Sequence, residues 1–182
     1  MKTMLIGCLV LFFSGCAHFH PNAKNHCAGV ETKTDAFGKS KRGYISYTDK
    51  GWRAVGLFTD NDKLIMRVLF SFSQAVDNVI PAGKTAKIAF DDGTVTDFTV
   101  AVQSSPVRGI AGYSIYTQWS VDFVITQDQA ALLASSPLKA VKIELGSIEL
   151  LDRFDDGTGE VLMYLAKCLS NDQQREAEVK SK

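Results

Sequence analysis

The sequence predicts a mainly β fold: an antiparallel β-sandwich or barrel-like domain of about eight strands, with one short helix and a C-terminal helix. Three observations carry that reading. Apolar and polar residues alternate over 113–125, where Tyr113, Ile115, Trp119, Val121, Phe123 and Ile125 share one face and Ser114, Gln118, Ser120 and Asp122 the other. Gly, Asp and Ser punctuate runs of this kind at short intervals, as turn-forming residues do. Two stretches, over 126–134 and from 159 onward, change to helical spacing.

In chain order, residues 29–35 read as an edge strand, and 43–48 and 52–58 as the next two strands. Over 63–72, Leu64, Met66, Val68, Phe70 and Phe72 oppose Lys63, Arg67 and Ser71, interrupted by Ile65 and Leu69, the pattern of a half-buried strand. Residues 85–90 and 94–102 flank Asp91-Asp92-Gly93, which fits a hairpin with positive φ at Gly93; in that register Ile88 and Phe90 meet Phe98 and Val100. Residues 103–112, with Pro106, Arg108, Gly109 and Gly112, read as a loop. Thr126-Gln127-Asp128-Gln129 matches a capping box, in which the Thr and Gln side chains satisfy backbone N–H groups at a helix start, and Ser135-Ser136-Pro137 closes that helix. Strands follow at 138–145 and 147–151. The last helix is predicted from near Gly159, where Val161, Leu162, Leu165, Cys168 and Leu169 form an apolar stripe that turns Cys168 toward the sheet.

The 182 residues are 46% hydrophobic and 22% charged, an ordinary globular balance. Twenty basic and twenty acidic residues cancel, so no whole-protein field exists to gather nucleic acid or an anionic membrane surface. No glycine-rich phosphate or dinucleotide motif follows a strand, and no cofactor is implied.

Lys2 precedes the apolar run of residues 4–13, and Ser14, Gly15 and Cys16 follow it. A spanning helix needs about 20 apolar residues, so a run of half that length reads as a secretory signal and not as an anchor. Phe13-Ser14-Gly15-Cys16 resembles the lipobox of bacterial lipoproteins. That resemblance implies removal of residues 1–15 as a signal peptide and lipid attachment at Cys16, with enough acyl chains for persistent anchoring. Ala17 stands where an aspartate would retain such a protein at the inner membrane, which implies the bacterial outer membrane, facing the periplasm. Residues 16–26, with Pro21, Asn22 and Asn25, read as a lipidated tether, and 27–182 as the β-rich globular domain with its C-terminal helix. The general look of that domain is similar to small β-rich envelope lipoproteins.

With Cys8 cleaved away and Cys16 acylated, Cys27 and Cys168 remain as an even pair in an oxidising compartment. They are expected to bridge, the alternative being two buried thiols. His18, His20 and His26 all precede Cys27, so hydrolases that rest on a packed imidazole are not expected, and the irregular spacing of these residues suggests no metal site. The acidic residues Asp91-Asp92, Asp155-Asp156, Asp60 and Asp62 leave a carboxylate-pair mechanism as an alternative, although aspartate beside glycine usually serves a turn. Tyr44, Tyr47, Trp52 and Tyr116, with Arg108, are the candidate binding surface, since aromatic residues and arginine are enriched at recognition sites. The expectation is a membrane-anchored envelope lipoprotein whose non-catalytic domain binds another envelope protein or a glycan. A carboxylate-dependent hydrolase of envelope glycan and a periplasmic enzyme inhibitor stand as the alternatives.

Overall fold

The computed structural model describes residues 20–34, 36, 40–48, 53–60 and 63–180, with the backbone alone for 46–48 and 171–180. Cys16 and Trp52 lie outside the described residues. Among the described residues, ten strands form two antiparallel sheets. The six-stranded sheet holds β1 (Glu31–Thr34), β2 (Ser40–Thr48), β3 (Arg53–Asp60), β4 (Lys63–Phe72), β8 (Ser114–Ile125) and β7 (Val107–Ala111), in that spatial order. The four-stranded sheet runs β10 (Ile148–Arg153), β9 (Leu138–Leu145), β5 (Thr85–Phe90), β6 (Val95–Thr99). Helix α1 spans Gln127–Ser135 and α2 spans Asp156–Lys180.

Alternation places the core. Leu64, Met66, Val68 and Phe70 of β4 lie opposite Ile125, Phe123, Val121 and Trp119 of β8 in register, and all eight are buried on the face turned toward the second sheet. Phe98 of β6 meets Phe123 edge-on at 6.3 Å between ring centroids, joining the two sheets. Leu162, Leu165, Ala166 and Leu169 of α2 complete the same core, as the helical stripe requires. Each large apolar side chain removed from water here contributes about 1.5 to 3 kcal/mol before conformational entropy is counted. Polar ties also cross between the sheets. Ala101 N donates to Asp122 O at 2.7 Å, and Arg53 on β3 pairs at 2.7 Å with Asp152 on β10, whose side chain is 2% exposed.

The capping box at Thr126 forms as expected, with Gln129 N donating to Thr126 Oγ1 at 3.3 Å and Thr126 N donating to Gln129 Oε1 at 2.9 Å. Gly93 takes φ +85° in the expected hairpin, but the pairing differs: Ala86 lies opposite Phe98, and Ile88 opposite Thr96. The chain reverses close to Phe90, whose N donates to Thr94 O at 2.9 Å. The shift is an even number of residues, so Ile88, Phe90 and Phe98 keep the buried face they were assigned. Helix α2 begins at Asp156 and not near Gly159, because Asp155 caps it by accepting from Thr158 N at 2.7 Å. Gly159 has another role, since a Cβ there would stand 2.4 Å from the carbonyl oxygen of Leu138. Residues 107–111, expected as a loop, are strand β7, paired with β8 from Val107↔Gln118 to Ala111↔Ser114 around a positive-φ turn at Gly112. Tyr113 and Ile115, expected on the buried face, are exposed because this hairpin runs past the core.

Candidate functional site

Cys27 and Cys168 form a disulfide, with Cα atoms 5.3 Å apart, that ties the segment before β1 to α2. Expected as a solvated tether, this segment lies against the domain from His20 onward. Asn22 Oδ1 accepts from Lys24 N at 3.0 Å and Asn25 N at 3.1 Å, and Asn25 Oδ1 accepts from Cys27 N at 3.1 Å, so side chains satisfy the turn that the backbone alone leaves open. Pro21 and Ala28 are buried. His26 stacks on Tyr164 of α2 at 5.4 Å, and His20 Nδ1 shares a hydrogen bond with the Tyr44 hydroxyl, its ring edge-on to Tyr44 at 5.8 Å. Burial holds the Tyr44 phenol above the usual tyrosine range.

Beside Tyr44, strands β1 to β4 carry an open cleft of about 620 Å³. Two glycines let β2 and β3 pack closely here. Gly43 lies opposite Phe58 and Gly56 opposite Ile45, and a Cβ on Gly43 would fall 2.3 Å from Phe58 Cβ. Glu31, Lys33, Lys41, Tyr44, Phe58 and Arg67 line the space. The cations Lys41 and Arg67 stand over the Phe58 ring, 5.8 and 5.0 Å from its centroid. Arg67 is fixed by a two-pronged pair with Asp122 at 2.6 and 2.7 Å, whereas Lys41 holds Asp60 at 2.6 Å and Lys33 holds Glu31 at 3.3 Å with both partners mostly in water. Pairs as exposed as Lys33–Glu31 are worth little and rearrange easily.

The opposite edge of the same sheet has a different character. On the β7–β8 hairpin, Val107, Ile110, Tyr113 and Ile115 are all exposed, Ile110 to 75%. Tyr116 covers Gly109, where a Cβ would lie 2.2 Å from its ring, and Arg108 pairs with Asp77 across to the 73–80 loop. That loop is held by Trp119 Nε1 donating to Asn78 O at 2.8 Å and by Thr117 Oγ1 donating to Gln74 O at 2.7 Å.

The acidic groups fall in turns, caps and ion pairs. Asp92 Oδ1 accepts from Thr94 N at 2.9 Å, which holds its carboxyl below the usual range, and the same bond type from Thr158 does so for Asp155. Asp91 pairs with Lys139 at 2.5 Å, raising the lysine. Asp62 lies outside the described residues. Among the described residues no three His, Cys, Asp or Glu side chains converge on a metal position, and no helix is long and apolar enough to cross a membrane.

The residues singled out by sequence do not converge on one site. Tyr44 sits on β2 near one edge of the six-stranded sheet, and Arg108 and Tyr116 lie on β7 and β8 near the other. Tyr47 is on β2 with its side chain outside the description. The cleft residues Lys33, Lys41, Phe58 and Arg67 escaped the sequence reading. Their signal was Gly43 and Gly56 inside runs otherwise suited to strands, since glycine within a strand marks a trough or a close approach. Val107 and Ile110 were hidden by the Pro and Gly that flank them. Compared with protein-family models, curated proteins and solved structures, the chain matches none of them.

Proposed function

We propose that the protein is a lipid-anchored component of the bacterial envelope, attached through Cys16 at the outer membrane, whose domain works by binding another envelope protein and not by catalysis. The observation that carries this reading is the β7–β8 edge. An edge strand offers unpaired N–H and C=O groups for strand addition, and β7 couples them to the exposed side chains of Val107 and Ile110. Apolar side chains along a strand edge favour a polypeptide partner over a glycan. The bound state of the acidic residues supports the non-catalytic part. The described lining of the cleft holds one carboxylate, Glu31, and a glycosidase needs two at about 5 to 9.5 Å.

The test is site-specific photo-crosslinking in cells, with the reactive group placed at Ile110 of the full chain and, as a control, at Lys87 on the other sheet. One discrete adduct from Ile110, lost in Tyr113→Lys and absent from Lys87, is expected. No adduct from either Ile110 or Val107 overturns the reading. Cys16→Ala should move the protein out of the membrane fraction, and an unmodified intact mass for the native chain would refute lipid attachment.

A further inference from the structure

We propose that the cleft on β1 to β4 takes the phosphate-bearing headgroup of a lipid from the leaflet that holds the anchor. This inference rests on lipid attachment at Cys16 and is otherwise independent of the β7 edge. Its first support is position. His20 is already seated on Tyr44, and Tyr44 lines the cleft. Cys16 precedes His20 by four residues, so, whatever path they take, their Cα atoms stand no more than about 14 Å apart. A domain so closely tied cannot swing away from the bilayer on a stalk, and its cleft stays within reach of the headgroup layer.

The second support is chemistry. Lys33, Lys41 and Arg67 put three cations on the lining, paired with Glu31, Asp60 and Asp122 respectively, and a phosphate would enter by exchange with the weakest of these pairs. Arg67 is pre-oriented by Asp122 and Lys41 by the partly buried Asp60, while Lys33 has a long exposed stem whose pair with Glu31 is exchangeable for a phosphate at little cost. Phe58 and Ile45, with Gly43 between the strands, give the lining an apolar part suited to a glycerol backbone. Helix termini and backbone nests are not involved; the anion site is made of side chains that the twist of four strands brings together.

The experiment uses the full lipidated chain in a non-ionic detergent, titrated calorimetrically with glycerophosphoglycerol, glycerophosphocholine and inorganic phosphate. Glycerophosphoglycerol is expected to bind, the double variant Lys33→Gln/Lys41→Gln to weaken it at least tenfold, and Lys87→Gln on β5 to leave it unchanged. In vesicles, amides of β1 and β2 should exchange more slowly in phosphatidylglycerol than in phosphatidylcholine. Absence of binding, or equal binding by the double variant, overturns the proposal. Inorganic phosphate binding as tightly as the headgroup, with no protection in vesicles, makes the cleft a site for free anions and overturns the lipid source. An intact mass without acyl groups refutes the anchor alone, because the calorimetric arms do not depend on it.

Discussion

Removing the disulfide should cost this domain a large part of its stability. The bridge between Cys27 and Cys168 spans 141 residues of sequence, and the chain-entropy relation for a loop of that size gives about 5 kcal/mol. Replacing both cysteines by alanine also takes a buried sulfur from Cys168, which is 2% exposed, for about 1 kcal/mol more. Against a typical total of about 5 to 15 kcal/mol the variant keeps its fold only marginally. Thermal unfolding should fall by about 12 to 24 °C, taking about 2 to 4 °C per kcal/mol for a domain of this size. Guanidinium unfolding followed through Trp119 is the assay, and its slope should rise in the variant, since an uncrosslinked denatured chain exposes more surface. A loss below about 1 kcal/mol with an unchanged slope would refute the reasoning. It would mean that the contacts of His26 with Tyr164 and of His20 with Tyr44 hold the segment without the bond.

Three further outcomes follow from local geometry. Asp152→Ala removes a carboxylate 2.7 Å from Arg53 and leaves a half-buried guanidinium between the sheets, so urea midpoints should report a loss of about 3 kcal/mol, with clear coupling in a double-mutant cycle with Arg53→Ala. Gly43→Val drives a Cβ to 2.3 Å from Phe58 Cβ; the strands must part, and a thermal melt should show a loss of about 2 kcal/mol or more. Asp155→Ala removes the α2 cap for about 1 kcal/mol at neutral pH. The Asp155 carboxyl is depressed in the folded state, so its contribution is complete above the unfolded value of about 3.9 and fades as pH falls through the lower folded value. Stability curves of the native chain and this variant should therefore converge on the acid side, and parallel curves from about pH 5 to 2 would contradict the cap.

How far the fold could be read from sequence depended on whether local pattern and tertiary context agreed. Strands β4 and β8 were legible because Leu64 to Phe70 and Trp119 to Ile125 alternate, apart from Ile65, Leu69 and Val124, and one face is buried. Helix α1 was legible because its cap is a side-chain reaction between neighbours, Thr126 and Gln129. Strand β7 was not, since Gly109 and Gly112 look like breakers until Tyr116 is seen lying over the first and the second is seen turning a hairpin. The start of α2 was missed for a related reason: Asp155 and Asp156 look like turn residues, and only the Thr158 amide reveals a cap. Of the cleft only a hint was legible, Gly43 and Gly56 within strand-like runs, because Lys33, Lys41, Phe58 and Arg67 come from four strands whose register no local signal sets.

The two edges of the six-stranded sheet solve the same problem in opposite ways. Every exposed edge is a template for unwanted pairing, and charge along the strand is the usual defence. Strand β1 has that defence, with Glu31 and Lys33 both projecting into water. Strand β7 lies five strand spacings away, about 24 Å at the ordinary separation, and its exposed positions include Val107 and Ile110. An edge that had only to remain unpaired would be expected to resemble β1. The asymmetry fits the proposed attachment at Cys16, with the charged side, beside His20 and the cleft, toward the membrane and the apolar edge offered to the proposed partner away from the lipid. In that arrangement the disulfide gains a second role beyond stability: it fixes the segment leading to the anchor onto α2, so the orientation of β7 relative to the membrane is set by the fold and not by the length of a tether.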